Sequence, residues 1–222
     1  MLEKSLLDSW SFFKNHIIAI AMIVLPIVAP VGIFNSLYLY FTTSEEFVLS
    51  EHALPMVIGL IAHPVYSIAI IFYIASVVAG ERSDTKSLWN LGIKYWLAYF
   101  ILSLIIGIAV GFGLMLFIIP GIVLLARCAF AEFDLLLNQS KPFEAISNSW
   151  ALTKEYMWVI LAGYAVITLA LYVPYYLISG LFDEATILYW IVDTVLNIGY
   201  SVLTVMYTIF AFRVYELARA KK

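Results

Sequence analysis

Apolar runs of about 18 or more residues recur along this chain, and no other feature constrains its fold as much, because each can cross a hydrocarbon layer about 30 Å thick as a helix. Inside such a layer every backbone N–H and C=O must be satisfied within the segment, which favours helices. Composition agrees. Apolar residues make up 64% of the 222 positions and charged ones 12%, with a mean hydropathy of +0.99, far from soluble usage.

The runs predict spans at 17–41, 54–79, 96–119, 122–137, 156–178 and 187–214. The expected fold is all-α: a polytopic membrane protein with six transmembrane helices in three hairpins, forming one integral membrane domain over 1–222. Three amphipathic interfacial helices are expected on the cytoplasmic side. In residues 2–14, Leu6, Trp10 and Phe13 recur at helical spacing. In residues 81–95, Arg82, Lys86, Asn90 and Lys94 share one face. After Ser140 as N-cap and Pro142 in the first turn, Phe143, Ile146 and Trp150 line the third. Trp10, Trp89 and Trp150 are the expected interfacial anchors, and Pro26 and Pro30 are expected to kink the first span.

Interfacial helix, span out and span back recur as units 1–80, 81–140 and 141–222. Ser9, Trp10 and Lys14 match the spacing of Ser149, Trp150 and Lys154. Duplication accounts for this, and so does the general preference of membrane interfaces for Trp and Lys. Eleven of the twelve lysines and arginines fall on the side of the termini and the two central helical loops. The opposite loops carry Glu45, Glu46, Glu51, Asp183 and Glu184 and no basic residue. That bias predicts that both termini are cytoplasmic.

Arg127 is the one basic residue inside an apolar run, about 9 Å into the fourth span at 1.5 Å per residue. Asp193 lies at a similar depth in the sixth, so the two are expected to pair, either as a tie between helices or as a polar substrate site. Asp134 falls on the face of Arg127 about two turns deeper. Glu132 and Asp134 close a run short for a full crossing. They read as interfacial carboxylates or as groups facing a water-filled vestibule. His63-Pro64, in mid-span, is a proton-sensitive element or a kink whose freed carbonyl a polar group can satisfy. Pro120-Gly121 marks a turn, and Ser103, Gly107 and Gly111 form a ladder suited to close helix packing.

A single Cys128 and three scattered histidines argue against a disulfide framework or a metal site. Motifs of metalloproteases, serine hydrolases and phosphate-binding loops are absent from the sequence, so no enzyme activity, cofactor or nucleic-acid partner is expected.

SWSFFKNHIIAI, IIPGIVLLARCAFAEFDLLL, AISNSWALTKEYMW and TIFAFRVYELARAKK together resemble the YciC-like family of bacterial inner-membrane proteins. More distantly they resemble the membrane domain attached to some glycerophosphodiester phosphodiesterases. The likeness is strongest at Pro120-Gly121, Arg127, Phe130, Ala145 and Ser149. Relatives often carry a proline where this chain has Phe133. The resemblance implies an inner-membrane location and a fold, but no chemistry. The reading that follows is a non-enzymatic protein binding membrane lipids, partner membrane proteins or a second copy of itself, in envelope maintenance or assembly. The alternative is a small transporter or lipid translocator built around Arg127 and Asp193.

Overall fold

The computed structural model describes residues 1–42, 48–182 and 186–221. Glu45, Glu46, Asp183, Glu184 and Lys222, which enter the charge argument, lie outside the described residues. The chain forms α1 (Leu2–Thr42), α2 (Leu49–Val78), α3 (Thr85–Lys94), α4 (Trp96–Leu116) and α5 (Ile118–Arg127). It continues as α6 (Ala131–Leu137), α7 (Pro142–Leu152), α8 (Met157–Ser179), α9 (Ile187–Leu203) and α10 (Val205–Arg219). Among the described residues there is no strand. Among the described residues five stretches are long and apolar enough to cross a membrane: α1, α2, α4, α8 and the 33-residue run of α9 and α10.

The expected fourth span is not one of them, because it is two short helices. Its α4–α5 turn falls at Phe117, in extended backbone with φ −154°, so Pro120 sits in the first turn of α5, where a missing N–H costs nothing. Close approach across this hairpin depends on glycine: a Cβ on Gly113 would lie 2.9 Å from Gly121 Cα. Gly107 and Gly111 do not pack closely against another helix of the chain. Nothing lies within 4 Å of a Cβ at either.

The break between α5 and α6 is stitched by α7. Ala131 N–H donates to Cys128 O instead of Arg127 O. Ser149 Oγ then donates to Arg127 O at 2.7 Å and accepts from Phe130 N–H at 3.1 Å. Thr153 Oγ1 donates to the same Arg127 oxygen at 3.2 Å. Backbone groups left over by a broken apolar helix need such partners, and two hydroxyls of α7 supply them. Ser149 and Thr153 are fully buried.

Residues 2–14 are not a separate interfacial helix. They run straight into the first span, giving a 41-residue helix about 60 Å long. The stripe that packs is Ser5, Ser9 and Phe13, while Trp10 is 45% exposed. In α7 likewise Ala145 and Ser149 are buried, whereas Phe143 and Trp150 face outward. The expected faces are divided: Trp10, Phe143 and Trp150 lie outward, whereas Phe13 is buried and Leu6 and Ile146 pack against the core. Small residues pack inward because they let helix axes approach closely, a gain that counts where lipid competes equally well for apolar side chains. In α3 the inward glycine is Gly92, where a Cβ would meet Val65 O at 2.5 Å, so α3 runs back along α2.

Two tryptophans donate to helix carbonyls next to prolines. Trp89 Nε1 donates to Ile23 O at 3.2 Å and Trp96 Nε1 to Ile61 O at 2.8 Å. Each acceptor lies three residues before a proline, Pro26 and Pro64, in the turn that the missing N–H loosens. Trp89 is therefore a partly buried cross-link between α1 and α3. Both ends of the chain gather at one end of the bundle. Met1 and Lys221 line one hollow there, and Arg213 pairs with Asp8 at 2.9 Å.

Candidate functional site

α2, α4, α5, α8 and α10 touch in a closed ring around a cavity of about 820 Å³. α6 brings Glu132 and Phe133 into it, α2 contributes His63 and Ser67, and α4 contributes Tyr99 and Ser103. Tyr164 and Thr168 come from α8, and Tyr207 from α10. Gly107, Leu125, Thr168 and Tyr172 line the cavity and are exposed, so it opens to the bundle's outer surface. Its volume lies within the range that encloses small ligands.

The polar groups are ordered. The Tyr99 hydroxyl lies near the Glu132 carboxylate and near the Ser67 hydroxyl. Ser67 Oγ lies 3.2 Å from His63 Nε2. His63, Ser67, Tyr99 and Glu132 thus form one polar group on the cavity wall. Tyr164 lies near the same carboxylate, and its ring meets that of Tyr207 edge-on at 5.5 Å. The Tyr207 hydroxyl is 2.8 Å from Thr168 Oγ1. Ser103 Oγ is buried and has no hydrogen-bond partner. Among the described residues no lysine or arginine lines the cavity and no ion pair includes Glu132.

Glu132 and Asp134 are two residues apart and so point to different sides of α6. Asp134, 4% exposed, accepts from Asn138 Nδ2 at 2.7 Å and from Asn148 Nδ2 at 2.8 Å. Asn138 Nδ2 also donates to the Tyr215 hydroxyl at 3.1 Å. Asp134 therefore ties α6 to α7 and, through Asn138, to α10, while Glu132 faces the cavity.

Arg127 and Asp193 do not pair: among the described residues no ion pair joins them. A fourth span beginning at Ile122 would set Arg127 level with Asp193. α5 begins at Ile118, which sets Arg127 one turn deeper, in the last turn of α5, where a cation suits the helix dipole. Its guanidinium lies 4.6 Å from the centre of the Trp150 ring. Asp193 instead accepts from the Tyr175 hydroxyl at 2.8 Å and from Asn197 Nδ2 at 2.8 Å. Since the two share no partner, Arg127→Ala and Asp193→Ala are expected to combine additively, within about 0.5 kcal/mol. Thermal unfolding of the single and double variants in one detergent checks this.

Trp10 remains exposed, with Lys14 Nζ 5.7 Å from its ring centre. His63 and Pro64 sit together on α2, and only His63 lines the cavity. Most of the cavity's polar groups escape a motif search. A usable signal was the spacing: Tyr99, Ser103 and Gly107 on α4, and Tyr164, Thr168 and Tyr172 on α8, recur every four residues in otherwise apolar spans. That marks one non-apolar stripe per helix.

No curated protein and no solved structure matches the chain. The model of an uncharacterised protein family, UPF0259, matches residues 33–217, most of the bundle and the whole cavity lining, and the chain belongs to that family.

Proposed function

We propose that this is a non-enzymatic inner-membrane protein, with both termini cytoplasmic, that takes a membrane lipid or small amphiphile into its central cavity. The cavity carries the reading: it has an apolar wall, a few convergent polar groups and an opening on the outer surface of a helical bundle. The cytoplasmic placement of the termini rests on the charge bias, and the inner membrane on the YciC-like resemblance. A protein companion or a second copy, in envelope maintenance or assembly, fits the outward aromatic faces of α1 and α7 as a further contact. Transport is a second reading. It shifts from Arg127 and Asp193 to the cavity, because a broken helix, α5–α6, ends at its polar lining, as broken helices do in many transporters.

Extraction into native nanodiscs followed by mass spectrometry tests the binding reading. Gly107 lines the cavity and has open space where a side chain would grow, so Gly107→Phe is expected to fill it while the thermal midpoint stays within a few degrees. The wild-type protein is expected to retain lipid near one per chain, and the variant to lose it. Retention unchanged in Gly107→Phe overturns the cavity as the site. A stoichiometric protein companion, with no lipid sensitive to position 107, turns the reading to a scaffold.

A further inference from the structure

Resting on the cavity reading, we infer that the ligand carries an ammonium group, held by the Glu132 carboxylate among the tyrosine rings and hydroxyls of the cavity. A carboxylate removed from water takes up a proton unless a compensating partner holds it charged. The Tyr99 hydroxyl lies near Glu132, and among the described residues neither an ion pair nor a lysine or arginine of the lining neutralises it. By contrast Asp134, on the same helix, is closed off by two amide donors. The two carboxylates of α6 differ in this respect: Asp134 is held by two amide donors, and Glu132 faces the cavity.

The rest of the lining suits a cation. Ser103 Oγ, buried and unpartnered on the cavity wall, can accept a hydrogen bond from an ammonium N–H. Tyr66, Tyr99, Tyr164 and Tyr207 present rings whose faces attract a cation. An anionic headgroup would meet the opposite environment, because no basic side chain of the described lining awaits it and Glu132 repels it. His63, hydrogen-bonded to Ser67, is the one titratable nitrogen of the described lining. The ammonium comes either from a zwitterionic lipid headgroup or from a free amine. Both present the same group to Glu132.

The test uses the full-length protein in nanodiscs holding equal amounts of phosphatidylethanolamine and phosphatidylglycerol with identical chains, read by native mass spectrometry. The wild-type protein is expected to retain the ethanolamine lipid over the glycerol lipid by about tenfold or more, and Glu132→Gln to lose that preference. The protein need not be altered for a parallel arm. Acetylating the lipid amine removes the positive charge, and retention is expected to fall as far as in Glu132→Gln. Ethylammonium chloride added to glycerol-lipid nanodiscs separates the sources. Stabilisation of the wild-type protein over an equal sodium chloride control, absent in Glu132→Gln, assigns a free amine. Its absence alongside ethanolamine-lipid preference assigns the headgroup. Equal retention of both lipids, lost in Gly107→Phe, overturns the ammonium while keeping the cavity. No retained lipid and no amine response overturn both.

Discussion

Gly163→Ala is expected to destabilise the protein by about 3 kcal/mol, the upper part of the usual range for overpacking. Gly163 is buried on α8 against α10, and a Cβ there would lie 2.0 Å from Phe210 Cζ. The phenyl ring has nowhere to move, since Phe210 is fully buried. Relief therefore requires α8 to shift away from α10. Tyr164 and Thr168 ride on that helix and line the cavity, so lipid retention is expected to fall together with the thermal midpoint. Phe210→Leu in the same chain removes the obstructing ring carbons, and the double variant is expected to recover more than half of the loss. A double variant no more stable than Gly163→Ala would place the cause elsewhere than in this contact.

Asp134→Ala is the second large effect, at about 3 kcal/mol, from two hydrogen bonds to a charged acceptor and the amide donors left without it. Asn148 loses the one partner assigned to its Nδ2, whereas Asn138 keeps the Tyr215 hydroxyl. Because the site is complete without a ligand, the loss should appear in unfolding and leave lipid preference intact among molecules that remain folded. Glu132→Gln is expected to do the opposite, with a small change in stability and a large one in selectivity. Measuring midpoints and retained lipid for both variants side by side separates the two carboxylates of α6. If Asp134→Ala changed the lipid ratio as Glu132→Gln does, the division of labour on α6 would be refuted.

The faces of the expected interfacial segments show how packing divides an apolar stripe in this setting. Leu6, Trp10 and Phe13 made such a stripe, and in a soluble protein the whole stripe packs inward. Here Ser5, Ser9 and Phe13 are buried and Trp10 is exposed. Ser149 is buried and Trp150 exposed in the same way. Beside lipid, burial of apolar area between helices gains little, and close approach through small residues decides which face packs. Ser149 does more than fit: it satisfies both ends of the broken backbone at Arg127 and Phe130. Those residues carried part of the family resemblance, and the structure gives the physical connection between them.

Hydropathy, read along the chain, was sufficient for the all-helical class and for the presence of several apolar helices long enough to cross a membrane, but not for six spans, since the expected fourth is two short helices and the first helix begins at Leu2. It also located the turn near Pro120-Gly121 and singled out Arg127, Glu132, Asp134 and His63 as the polar residues to explain. These properties follow from local physics: a polar backbone must be hydrogen-bonded inside an apolar medium, whichever neighbours surround it. Partnership is a different matter. Whether Arg127 met Asp193 or Trp150, whether Glu132 or Asp134 faced open space, and whether Gly107 packed against a helix or lined a cavity depended on helix starts and rotations. A shift of four residues in the start of α5, or the 200° between two residues on α6, reverses the answer. Such rotations are set by the ring of helices as a whole, through contacts such as Gly113 on Gly121, Gly92 on Val65 and Gly163 on Phe210. No single segment contains them, and so only the tertiary structure decided where the site lies.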